Sequence, residues 1–150
     1  MKITIKKARK KDFKKVLGLI NELAKFEKLE PPGKKEAKRL FRDAFGEKAK
    51  FKILTAAEGK NILGYAFYFF TYSSFLAKPT LYLEDLFITE RSRNLGIGKL
   101  FFKELLRIAL KNKCGRMEWC VLDWNKDAIE FYNKLGAKPL SDWIYYRKVL

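Results

Sequence analysis

Leu81-Tyr82-Leu83-Glu84-Asp85-Leu86-Phe87-Ile88, followed after four residues by Arg93-Asn94-Leu95-Gly96-Ile97-Gly98, sets a strand, a turn and a helix in a row. The first segment is apolar on both sides, as a strand covered on its two faces must be, apart from two adjacent carboxylates. The second places two glycines around the start of a helical stripe. Ile97, Leu100, Phe101, Leu105 and Ile108 recur on one side, with Lys99, Lys103, Arg107 and Lys111 on the other.

Upstream, residues 2–8 alternate in the manner of a strand, and Asp12 is placed to cap a helix whose apolar positions are Phe13, Val16, Leu17, Ile20 and Leu23. Pro31-Pro32-Gly33 breaks that helix, and Ala37, Leu40, Phe41, Ala44 and Phe45 space a second one ending at Gly46. Residues 50–57 and 62–71 flank the polar turn Glu58-Gly59-Lys60-Asn61 and read as an antiparallel hairpin, and Lys78-Pro79 opens a strand over residues 80–89. Downstream come a strand over 116–122 and a helix capped by Asn125 that carries Ala128, Ile129, Tyr132 and Leu135 and stops at Gly136. A final strand is expected over 143–149. Strands alternating with helices around a central hairpin predict one α/β (α+β) domain over residues 1–150, a mixed, mostly antiparallel sheet with helices on both faces.

Composition narrows the function. With 48% apolar residues and 15% aromatics, 150 residues can bury a core without disulfides or a structural metal. The longest charge-free run, Asn61 to Ala77, falls short of the roughly 20 apolar residues that span a bilayer. No signal-peptide pattern opens the chain, so a soluble, cytoplasmic protein without membrane partners is expected. Cys114 and Cys120 lack companions at zinc-like spacing, so no metal is expected. The absence of histidine removes Ser-His and Cys-His nucleophilic sites and histidine bases together.

A net charge of +16 suits a basic nucleic-acid-binding module, which is the alternative from another functional class. Its distribution disfavours nucleic acid as a partner. Residues 61–90 hold only Lys78 against Glu84, Asp85 and Glu90, while the aromatics sit in apolar strands such as GYAFYFF rather than among the lysines. A basic shell around a segment of net negative charge suits a site for something cationic.

Three stretches can carry chemistry. Around Gly96 and Gly98, successive backbone N–H groups can converge at a helix N-terminus where the dipole favours an anion, and a pyrophosphate meets that requirement. The spacing is neither GxGxxG nor the Walker pattern, and a plain glycine turn is the competing reading. Glu84 and Asp85 interrupt an apolar strand, where an ionised carboxylate needs a partner or a task. Strand alternation puts them on opposite faces with separate roles, and an exposed residue beside a salt-bridged one is the competing reading. Tyr132 lies on the apolar face of the last helix. It is either a core aromatic or, in a chain without histidine, a proton donor to a departing thiolate.

Taken together and in this order, NELAKFEKLE, GYAFYFFTY, YLEDLF, RNLGIGK and LDWNKDAIEFYNKLGA resemble the GNAT superfamily of N-acetyltransferases. Within it, the similarity is greatest to the spermidine/spermine (diamine) and thialysine acetyltransferases. The resemblance implies that acetyl-CoA is the co-substrate and that a primary amine (polyamine, diamine or thialysine-like) attacks it directly in a ternary complex. A protein lysine or an N-terminus is the alternative acceptor.

By the same resemblance, the main chain of Arg93, Asn94, Leu95, Gly96, Ile97, Gly98 and Lys99 holds the pyrophosphate, while Leu86, Phe87 and Ile88 pair with the pantetheine arm. Asn125 lies near the cofactor, Tyr132 protonates the thiolate, and Glu84 is the general base, acting through water. Asp85 lies nearer the amine, Glu27 and Glu30 recognise a cation or are ordinary surface carboxylates, and the assembly is a homodimer. Ser73, Ser74 and Phe75 occupy the turn where polyamine acetylators carry an acidic residue and a tryptophan, so one anchor for a second ammonium is missing.

Overall fold

The computed structural model describes residues 2–150, which divide into two compact units, the first ending at Trp119 and the second spanning Cys120–Leu150. In the first unit, β1 (Thr4–Lys7), β2 (Lys52–Glu58), β3 (Asn61–Ser73), β4 (Lys78–Ile88) and β5 (Arg116–Trp119) form one sheet in the order β1-β2-β3-β4-β5. The first three pairings are antiparallel and β4–β5 is parallel, giving the mixed, mostly antiparallel sheet that the sequence predicts. Parallel neighbours need a crossover, and α3 (Ile97–Lys111) supplies it.

Each face of the sheet has its own core. On one, α1 (Phe13–Glu27) contributes Val16 and Leu19 to a cluster with Phe51, Ile53, Tyr65 and Phe87. Leu40 and Ala44 of α2 (Lys34–Phe45) pack against this same cluster. On the other, Ile97, Phe101, Leu105 and Ile108 of α3 pack on Leu54, Ala66, Tyr68, Leu81 and Leu83. Helices therefore cover both faces of the sheet. Leu100, read as part of the α3 stripe, is instead 38% exposed because Ala109 completes the buried face.

Two local expectations change. Asp12 makes no side-chain cap to α1; its carboxylate accepts from the Arg9 backbone N–H at 2.9 Å and from Arg9 Nε at 3.0 Å, closing the 3₁₀ turn that leads into the helix. The first helix stops before Pro31, at Lys28, whose left-handed backbone (φ 59°) returns its N–H to the Ala24 and Lys25 carbonyls.

In the second unit, Asn125 caps α4 (Lys126–Lys134) by accepting from the Ala128 N–H at 3.3 Å, as predicted. The strands expected beyond Trp119 and over 143–149 are not formed. A strand needs a neighbour for its backbone hydrogen bonds, and α4 is the only regular element of this unit among the described residues. Trp143 and Tyr146 stand 73% and 85% exposed. No helix among the described residues is long and apolar enough to cross a membrane.

Candidate active site

The site is set by one irregularity. Phe67 pairs with Asp85 but Tyr68 pairs with Leu83, so Glu84 is the extra residue of a β-bulge in β4. The bulge reverses the phase of the strand. Leu81 and Leu83 enter the α3-side core, whereas Phe87, of the same parity, enters the α1-side core, and Leu86 and Ile88 pack on the α3 side. Regular alternation would send Glu84 and Asp85 to opposite faces. The bulge corrects that expectation: both carboxylates are carried to the α1 face, where Tyr82 already meets Phe69 with ring centroids 5.3 Å apart.

On that face Tyr65 donates its phenolic hydrogen to Asp85 Oδ2 at 3.0 Å. Tyr65 is fully buried, Asp85 partly buried and Glu84 exposed. Burial raises the Asp85 carboxyl to about 6, the Tyr65 hydrogen bond opposes that rise, and the charges of Glu84 and Glu27 add to it. Glu27, near the end of α1, is also raised, by burial first and then by Glu84. Burial and the same three carboxylates push the Tyr65 phenol well above its ordinary range, so it stays protonated and remains a donor. Neither Glu84 nor Asp85 forms an ion pair among the described residues, which removes the salt-bridged reading. Mutually repelling carboxylates without a basic partner make a place for a cation. Glu30 lies beyond α1 and is exposed.

Beside the carboxylates, β4 pairs with β3 along Asp85–Ile88, but its register with β5 covers only Thr80–Leu83. Leu86, Phe87 and Ile88 thus follow the point where the parallel pairing stops. The chain then makes a 3₁₀ turn, Glu90–Ser92, steadied by Thr89 Oγ1 donating to Ser92 Oγ at 3.0 Å, and enters the Arg93–Gly98 segment. Here Asn94 (φ 63°) and Gly96 (φ 75°) both adopt left-handed backbone, and Gly96 is the N-cap of α3 without a side-chain cap.

Such a turn directs consecutive N–H groups to one side, and the first turn of α3 carries no acidic residue to compete with an incoming anion. The exposed Arg93 and Lys99 add positive charge. The donor set fits a diphosphate. Arg93 also donates from Nε to the Ile88 carbonyl at 3.4 Å and lies over the Phe26 ring at 5.4 Å, tying the turn to the end of β4 and to the helix that carries Glu27.

In the second unit, Asn125 stands at the start of α4 and Tyr132 in its second turn, both partly buried. Asn125 is engaged as the cap, and the Tyr132 ring meets Phe131 at 5.5 Å.

The residue that sequence reasoning missed is Tyr65. Within GYAFYFF it is one aromatic among several, and only the β3–β4 register, with Tyr65 opposite Phe87 and Phe67 opposite Asp85, singles it out. Phe26 was missed likewise, since its value lies in facing Arg93 across the fold.

The family model for the acetyltransferase (GNAT) family matches residues 6–137. The chain is a GNAT acetyltransferase. The mouse thialysine N-epsilon-acetyltransferase is 35% identical over 154 residues, covering 95% of this acetyltransferase and 90% of the mouse protein. A human spermidine/spermine N(1)-acetyltransferase-like protein is 37% identical over 95% of this chain, which spans 22% of that longer protein. Among solved structures, an integron cassette protein from the mobile metagenome of V. cholerae superposes with a TM-score of 0.85 at 28% identity, covering 99% of this chain and 93% of that one. A probable acetyltransferase matches with a TM-score of 0.82 at 17% identity over 100% and 98% of the two chains, a likeness of fold. The GNAT family uses acetyl-CoA as co-substrate, so this acetyltransferase is an acyl-transfer enzyme acting through that thioester.

Proposed function

We propose that this acetyltransferase acts on a small cationic primary amine (a polyamine, a diamine or a thialysine-like amino acid) by direct attack in a ternary complex. The observation that carries this reading is the bulge at Glu84, which gathers Glu84 and Asp85 on the α1 face with Glu27. Relatives whose names specify thialysine and spermidine/spermine acetylation support the same acceptor class.

Acetyl-CoA supplies the activated acetyl carbonyl. The amides of Arg93–Lys99 bind its diphosphate, and Leu86–Ile88 hold the pantetheine arm by adding it as a strand, which also orients the carbonyl. A lysine-like amine of pKa ~10.4 arrives protonated, and Glu84, through water, takes its proton so that the nitrogen can attack. As the N–C bond forms and the C–S bond breaks, Tyr132 gives its phenolic proton to the sulfur. Asn125 contributes a contact to the cofactor, and Asp85 and Glu27 hold the acceptor's positive charge, with Glu30 at the outer edge.

The family match over residues 6–137 supports reading residues 1–150 as one catalytic domain, and we propose that it works as a cytoplasmic homodimer. The turn after β3 carries no acidic anchor: Ser73 Oγ accepts from the Leu76 N–H at 3.1 Å and Phe75 is 98% exposed. That favours short acceptors over long polyamines. A side-by-side screen of CoA release with putrescine-like diamines, spermidine, thialysine and lysine peptides tests the proposal. Turnover highest with a small diamine or thialysine is expected, and turnover confined to peptides would refute it.

A further inference from the structure

Tyr65 stands in β3, buried, in the α1-side core that also holds Ile53 and Phe87. Tyr65 pairs with Phe87 and Phe67 with Asp85, so Tyr65 and Asp85 are diagonal neighbours on adjacent strands, a spacing that a long aromatic side chain can bridge. Asp85 lies two residues from Phe87 on the regular part of β4 and therefore shares its face, and the bulge adds Glu84 beside it. A phenol buried at that depth needs a hydrogen-bond acceptor, and among the described residues Asp85 Oδ2 is the one it has. We infer that Tyr65 is a positioning residue: by donating to Oδ2 at 3.0 Å it clamps the Asp85 carboxylate and presents Oδ1 to the ammonium of the acceptor. The inference rests on the acceptor class proposed above.

Chemistry favours this role over mere packing. The groups acting on Asp85 are Tyr65 from β3, Glu84 from its own strand and Glu27 from α1. Two of the three are carboxylates, and burial opposes ionisation as well, so the Tyr65 hydrogen bond is the one influence among them that favours the charged form. A hydrogen bond to an ionised acceptor is also shorter and stronger than one to a neutral acceptor, which suits a side chain that must meet a substrate nitrogen at a fixed place. Phenylalanine at this position would keep the ring packing and delete only the clamp.

The test compares the full-length wild type with Tyr65→Phe by ¹³C NMR of side-chain-labelled aspartate, the Asp85 signal being assigned with Asp85→Asn. The wild-type carboxyl should titrate near 6, and Tyr65→Phe should move the midpoint upward, because the donor that favours ionisation is gone. In kinetics with the best amine of the screen, Tyr65→Phe should raise KM for the amine roughly tenfold, as expected for one hydrogen bond to a charged group. It should shift the acidic limb of kcat/KM to higher pH and leave acetyl-CoA affinity unchanged by calorimetry. In the Asp85→Asn background the same substitution should neither raise the amine KM by that factor nor move the acidic limb. An unmoved carboxyl midpoint overturns the inference, and so does an equal loss of amine and acetyl-CoA affinity with the acidic limb in place. If the wild type acetylates none of the amines, the proposed function fails, and the NMR titration still decides whether Tyr65 holds Asp85.

Discussion

Replacing Asp85 by Asn should make the protein more stable at neutral pH while impairing it as an enzyme. Asp85 titrates at about 6 in the fold against the ordinary aspartate value of 3.8. The folded chain therefore keeps this proton up to about pH 6, whereas the unfolded chain releases it near 3.8. Between those values the folded state binds more protons, so stability falls as pH rises through the window and stays lowered above it. A displacement of about 2 in pKa, at 1.36 kcal/mol for each, corresponds to about 3 kcal/mol at pH 7 and above. Asparagine is neutral throughout, and its carbonyl oxygen can still accept from Tyr65. Urea unfolding of both proteins at pH 4 and pH 7.5 should show similar stabilities at the lower pH and an advantage for the variant approaching 3 kcal/mol at the higher. A stability difference of the same size at both pH values would refute the reasoning, because it would place the effect in packing and not in ionisation.

Gly64→Ala should strike the same region through sterics: a Cβ at Gly64 would lie 2.6 Å from the Phe87 carbonyl oxygen and 3.2 Å from the Ile88 Cα, both backbone. Forcing β3 and β4 apart should cost about 1–3 kcal/mol in unfolding experiments and weaken acetyl-CoA binding measured by calorimetry; full retention of both would show that the close approach is dispensable. Glu84→Gln should depress the rate most at lower pH, where more of the amine is protonated, and a loss uniform across pH would assign Glu84 to binding instead. Tyr132→Phe should lower turnover more than acetyl-CoA affinity, because a proton given up only as the thiolate forms acts in the transition state; unchanged turnover would remove Tyr132 from that role.

Much of the architecture was legible before any coordinates. The Glu58–Asn61 turn, the α3 stripe from Ile97 to Ile108 and the Asn125 cap are local signals, and each forms as read save that Leu100 leaves the stripe. The Arg93–Gly98 turn was legible for the same reason, since its glycine and left-handed backbone belong to one short stretch. The expected strand over 143–149 failed because alternation describes a face without supplying a partner. The relation of Glu84 to Asp85 was misread because a bulge leaves no mark in either strand alone; it arises where ten residue pairs of β3 and β4 must absorb one extra residue. What sequence by itself determined was the order of elements, the family and the residue types available for catalysis. Only the tertiary structure decided that both carboxylates share a face and that Tyr65 holds one of them, because register between strands is a property of two segments packed together and of neither in isolation.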